Sequence, residues 1–138
     1  MEVPTMFEDA DFIFSYTRAQ ALSDDVLVDV SEIAKEAGFR WPVAITDHLA
    51  ARLQPDAPSK QLGQSYQGRL WDVVWMASRA ALGVPKKAGS DQVRFLLILA
   101  EFDEAEQQIR HRELELFMMA GPGDEGEPVV TIGFPEDF

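Results

Sequence analysis

The side chains able to do chemistry in this sequence are mostly carboxylates: 24 Asp and Glu against 12 Lys and Arg, with two histidines and no cysteine. The missing cysteine excludes disulfide staples, thiolate metal ligands and a cysteine nucleophile. Metal centres gather His, Cys or carboxylate ligands at short spacing, as in HExxH. His48 has only Asp47 beside it and Arg52 four residues on, and His111 lies between Arg110 and Arg112, a cationic setting that opposes a metal ion. Both read as surface histidines, and no metal or cofactor site is predicted. None of the serines stands in a G-x-S-x-G elbow, so they read as caps and turns.

Residues 121–127 (GPGDEGE) have the glycines of a phosphate cradle but neither the Lys-Ser/Thr pair nor the helix that a P-loop needs. Asp124, Glu125 and Glu127 repel phosphate and lack EF-hand spacing, so a tight acidic hairpin turn is predicted instead. Adjacent acids such as Asp24 and Asp25 are expected by chance in so acidic a chain. As a pair for acid–base catalysis Glu113 and Glu115 say no more, but they alternate with Leu114 and Leu116 and so share one face of a strand. With Asp124, Glu125 and Glu127 they form a candidate acidic face. Such an array imitates the spacing of nucleic-acid phosphates and occupies a basic groove on another protein. The plain alternative is a solvated sheet face. A second candidate is a pocket near Tyr16, Arg18 and Trp41, where an enzyme or ligand-binding protein would converge its polar groups.

The totals bound what can position these groups. A chain of 138 residues, 46% apolar and 26% charged, fits one domain with its own core. Residues 1–25 carry six acids and one base, and residues 103–138 ten acids and two bases. A field of that sign repels nucleic acid and anionic lipid and favours a basic protein partner. No signal peptide or membrane span is visible, which fits a cytoplasmic location. Oligomeric state is left open.

The central element is residues 68–83 (GRLWDVVWMASRAALG), a helical pattern with nearly its whole circumference apolar. Before it, residues 1–11 read as a loose lead-in and 12–16 as a short strand. Thr17 with Gln20 spells a capping box for a short helix. Residues 26–30 read as extended, 32–37 as a helix capped by Ser31 or Asp29, 43–45 as a few residues of strand, and 47–53 as a helix capped by Thr46. Residues 54–67 read as a long loop and 84–91 as a turn. Then come three strands: 93–102 (VRFLLILAEF), apolar enough to be covered on both faces; 113–119, alternating; and 128–134. Residues 103–112 have room for a helical turn, and 135–138 form an acidic tail. The predicted fold is α+β: a central apolar helix packed on a C-terminal three-stranded antiparallel meander, with short N-terminal α/β elements. Arg69 and Arg79, rare bases on the helix, are expected to pair with carboxylates.

Three parts of the chain carry a resemblance: residues 16–21 (YTRAQA) with 26–31 (VLVDVS); 36–39 (EAGF) with 41–46 (WPVAIT); and 68–77 (GRLWDVVWMA) with 121–129 (GPGDEGEPV). Together they resemble an uncharacterised family of small bacterial proteins often found on plasmids and other mobile elements. The resemblance implies no activity and transfers no catalytic residues. It implies a setting: bacterial, cytoplasmic, carried by a mobile element. Mobile elements encode small acidic proteins that blunt restriction and CRISPR defences, some by imitating DNA, and a net charge of −12 fits that role. The expected function is therefore a non-catalytic accessory or inhibitor protein that meets a basic partner.

Overall fold

A computed structural model describes residues 16–83 and 92–138. The expected lead-in, all but Tyr16 of the strand expected at 12–16, and the turn at 84–91 lie outside the described residues. The elements, in chain order, are α1 (Arg18–Ser23), β1 (Leu27–Asp29), α2 (Ser31–Glu36), β2 (Val43–Thr46), α3 (Asp47–Leu53) and α4 (Ala57–Gln61). They continue with α5 (Tyr66–Leu82), β3 (Gln92–Asp103), β4 (Gln108–Pro122), β5 (Pro128–Gly133) and a closing 3-10 turn at Pro135–Asp137.

Local chemistry explains most helix starts. Thr17 accepts the Gln20 N–H while the Gln20 side chain accepts the Thr17 N–H, a complete capping box. Thr46 caps α3 through the Leu49 N–H, and Ser65 caps α5 through the Gly68 N–H. At α2 the cap is Val30, with no side-chain bond, because Ser31 and Asp29 hydrogen-bond each other instead. The loop expected at 54–67 contains α4. Asp56 accepts the Ser59 N–H at 2.9 Å, and Pro58 sits in the first turn, where its missing N–H costs nothing.

The molecule is a mixed α+β domain with a five-stranded sheet in the order β1-β2-β5-β4-β3. The sequence placed three strands together; β1 and β2 join them. Val43, Ala44 and Ile45 pair in parallel with Val130, Thr131 and Ile132, and all other neighbouring strands are antiparallel. The inner sheet face presents Ile45, Leu97, Leu99, Leu116 and Ile132 to Leu49 and Leu53 of α3 and to Leu70, Val73, Val74 and Ala77 of α5. Among the described residues, no helix is long and apolar enough to cross a membrane.

Three expectations are corrected. α5 is not apolar-buried all round: Trp75 is 41% exposed, stacked 5.8 Å from Trp71 and covered by the Arg79 guanidinium at 4.4 Å. A helix packed on one sheet face buries a single stripe, so the outer tryptophan is sheltered by its own helix neighbours. The helical turn expected in 103–112 is a hairpin, with Gln107 in the left-handed position at φ 55°. β3, expected to be covered on both faces, is the sheet edge, and its outer face carries Leu96 at 52% and Ile98 at 56% exposure.

Candidate functional site

Side chains alternate across a strand, so the sheet has a second, outer face. Over β2 and β5 that face is occupied. Arg18 of α1 reaches across it, donating to Thr131 Oγ1 at 2.7 Å and to the Val130 carbonyl at 2.8 Å. Burial lowers the Arg18 pKa, against the opposing pull of Asp124, Asp29 and Glu127. Asp124 accepts the N–H groups of Arg18 at 2.7 Å and Ala19 at 3.0 Å, at the helix end where the dipole favours an acid. Glu127 turns inward on its own loop, accepting the Glu125 N–H at 2.9 Å. Two of the five predicted acids therefore hold the β4–β5 turn and α1 in place, while Glu125 stays exposed.

Over β3 and β4 the outer face is open at Leu96 and Ile98, while the Phe138 ring packs 6.1 Å from that of Phe117. Glu113 and Glu115 project from it as the alternation requires, opposite Ile98 and Leu96 respectively. Arg94 lies over the Phe117 ring at 4.7 Å and 3.8 Å from Glu115, an exposed ion pair worth little. The result is an apolar strip, Leu96 and Ile98, bordered by two carboxylates. Seven residues of strand, about 23 Å at ~3.3 Å each, separate Glu115 from Pro122 at the turn. The predicted acidic residues thus occupy two places rather than one patch.

The acidic tail expected at 135–138 is instead a docked turn. Asp137 accepts Thr46 Oγ1 at 2.8 Å and the Phe134 N–H at 2.9 Å through Oδ2, and its Oδ1 lies 3.0 Å from His48 Nδ1. A carboxylate only accepts, so Nδ1 carries the proton. Gly133 leaves room for this clasp, since a Cβ there would lie 2.6 Å from Thr46 Cγ2 and 2.9 Å from Asp137 Oδ2. His48, half exposed, packs its ring 4.4 Å from Phe134.

Burial raises the Asp137 pKa, but the hydrogen bonds from His48, Thr46 and Phe134 outweigh it and hold the carboxyl below its ordinary value. A depressed folded-state pKa contributes stability above the unfolded value and loses it as pH falls through the folded one. Asp137→Asn should therefore cost about 1–2 kcal/mol at neutral pH. The deficit should shrink as pH drops below about 4, read as thermal midpoints of the two proteins from pH 7 to 3. A deficit that persists unchanged at pH 3 contradicts the clasp.

Tyr16 and Arg18 make bonds of their own, and neither lines the cavities that Trp41 lines. The Tyr16 hydroxyl donates to Asp24 at 2.7 Å, which raises its pKa, and Arg18 is committed to Thr131. Trp41 lines a cavity of about 540 Å³ with Ser31, Lys35, Phe39 and Arg40. A cleft of about 440 Å³ at the β3–β4 hairpin is lined by Asp56, Glu101, Asp103, Arg110 and Arg112. Two of its carboxylates are already paired: Arg52 and Arg112 hold Glu101 at 2.9 and 3.3 Å, and Arg110 holds Asp103 at 2.7 Å, keeping that carboxyl below its ordinary value. Among the described residues no group of three His, Cys, Asp or Glu is placed to hold a metal ion.

A family model described as "Family of unknown function (DUF6573)" matches residues 3–138. The chain belongs to that family. No curated protein and no solved structure matches it. In this DUF6573 protein the sequence located Glu113 and Glu115 on the outer face but missed the apolar strip beside them. Leu96 and Ile98 sit in a continuous apolar run, and nothing in its composition says which face the helices cover.

Proposed function

We propose that this DUF6573 protein acts by protein contact, through the outer face of β3 and β4, on a basic partner. The observation that carries this reading is the pair of exposed carboxylates, Glu113 and Glu115, beside the uncovered Leu96 and Ile98 on a chain of net charge −12. Charge of that sign steers a basic surface inward, and the apolar strip supplies the desolvated centre an interface needs. Glu125 at the β4–β5 turn adds to the same field from a distance. The finer reading is a non-catalytic inhibitor or accessory protein, cytoplasmic and carried by a mobile element. Its carboxylates would enter the basic groove of a host nucleic-acid-binding or defence protein in place of phosphates.

The test uses the immobilised full chain and a Glu113→Gln/Glu115→Gln variant, exposed to host lysate at low and high salt. The expected result is a basic protein retained by the unmodified chain, released by salt, and bound at least ~10-fold more weakly by the variant. Retention that is indifferent to salt, or equal on both proteins, overturns the proposal.

A further inference from the structure

We infer that residues 94–98 along the edge of β3 pair antiparallel with the same residues of a second copy, about a two-fold axis through Leu96. The inference does not rest on the basic-partner reading, because it is argued from the backbone of the β3 edge and not from the charge of the outer face. It starts from two hydrogen bonds. The Phe102 N–H donates to Ser59 Oγ at 3.2 Å, and the Ala100 carbonyl accepts Arg69 Nη2 at 2.9 Å. Both groups point away from β4. Edge-directed N–H and C=O groups recur at every second residue of a strand, so those of Arg94, Leu96 and Ile98 point the same way. Among the described residues nothing bonds them.

An edge strand this long is usually blunted by lysine, proline or a bulge. β3 has no lysine or proline, and its register with β4 runs unbroken from Gln92↔Met119 to Asp103↔Gln108. Among the described residues Ser59 and Arg69 bond this edge, and they close the end at Ala100 and Phe102. The stretch left open, residues 94–98, is centred on Leu96 and carries the exposed Leu96 and Ile98.

That stretch is complementary to itself. With the axis at Leu96, each Leu96 faces its counterpart, and each Arg94 faces Ile98 of the second copy. The ladder gains about six hydrogen bonds, two for each facing pair. Leu96 and Ile98 bury against one another. Behind Ile98 on the neighbouring strand stands Glu113, so each Arg94 approaches the other copy's Glu113. The ladder ends where the Ala100 carbonyl is already taken by Arg69. These matches favour a second copy over a foreign peptide. Each copy carries −12, so added salt relieves repulsion between copies, the opposite sign to its effect on a basic partner.

The native chain has no cysteine, which makes a clean test possible. Facing Leu96 residues would have Cα atoms about 5.5 Å apart, within the disulfide range. Arg94 and its counterpart would be about 14 Å apart, well beyond it. Under mild oxidation Leu96→Cys should give a covalent dimer and Arg94→Cys should not. Sedimentation of the unmodified chain should show a monomer–dimer equilibrium that salt does not weaken, and Leu96→Lys, at an exposed position, should weaken it at least ~10-fold. A chain monomeric at all concentrations overturns the inference, as does a dimer unaffected by Leu96→Lys or cross-linked equally by both cysteines. Monomers that instead capture an extended peptide along β3 overturn it too.

Discussion

Replacing Arg69 by alanine should destabilise the protein by about 3–5 kcal/mol, measured by urea unfolding. Arg69 is 3% exposed, yet no carboxylate lies within ion-pair distance of it among the described residues. Its guanidinium donates to the carbonyls of Ala100 at 2.9 Å and Leu53 at 3.4 Å and to Gln64 Oε1 at 3.4 Å. It therefore ties the end of α3 and the edge of β3 to the first turn of α5. Truncation leaves those carbonyls without a donor, at about 1–3 kcal/mol for each buried group, and opens the space its aliphatic stem filled. Arg69→Met, which keeps most of the stem, should recover about half of the loss. Truncation also frees the Ala100 carbonyl, so the alanine variant should self-associate more readily along β3, seen as a larger sedimenting species. A loss under about 1 kcal/mol would mean that water replaces the guanidinium at no penalty.

Arg69 also shows where sequence reasoning stops. Its position on the helix was readable; its burial was not, because an arginine on an apolar helix gives no sign whether it meets a carboxylate or a carbonyl. Features set by neighbours in the chain were legible: the Thr17–Gln20 capping box, the Thr46 cap, and the inward Leu114, Leu116 and Met118 against outward Glu113 and Glu115. Features set across the chain were not. β2 joins β5 in parallel over 80-odd intervening residues, and that pairing carries β1 into the sheet. Asp124 and Glu127 looked like free surface charge, but one caps a helix more than 100 residues away and the other folds back on its own turn. His48, read as a lone surface histidine, meets Asp137 only because the last residues dock beside β5. Glu113 and Glu115, two of the five residues of the candidate acidic face, share the outer face of β4 because strand alternation is local. The apolar strip that completes it depends on which face the helices leave open.

The same limit gives the second large prediction, which separates two adjacent leucines of β3. Leu97 is 2% exposed and faces the α5 side of the sheet, whereas Leu96 is 52% exposed and faces outward. Periodicity alone could not rank them, since every position from Phe95 to Leu99 is apolar. Leu97→Ala should cost about 3–4 kcal/mol in unfolding free energy, the sum of lost transfer energy and a cavity that packed neighbours cannot collapse into. Its surroundings, Phe95 and Leu99 on the same strand and Leu114 directly across, are fixed by the ladder to β4 and leave little room for relaxation. Leu96→Ala should cost no more than about 0.5 kcal/mol in dilute solution, because its side chain fills no cavity in the single chain. Protein concentration then distinguishes fold from contact. The Leu97 deficit should be the same at every concentration. The Leu96 deficit should grow as the chain is concentrated, because a residue whose burial requires a second copy contributes stability only when that copy is present. Equal and concentration-independent losses at both positions would mean that β3 is covered on both faces within one chain, returning it to the buried strand its composition first implied.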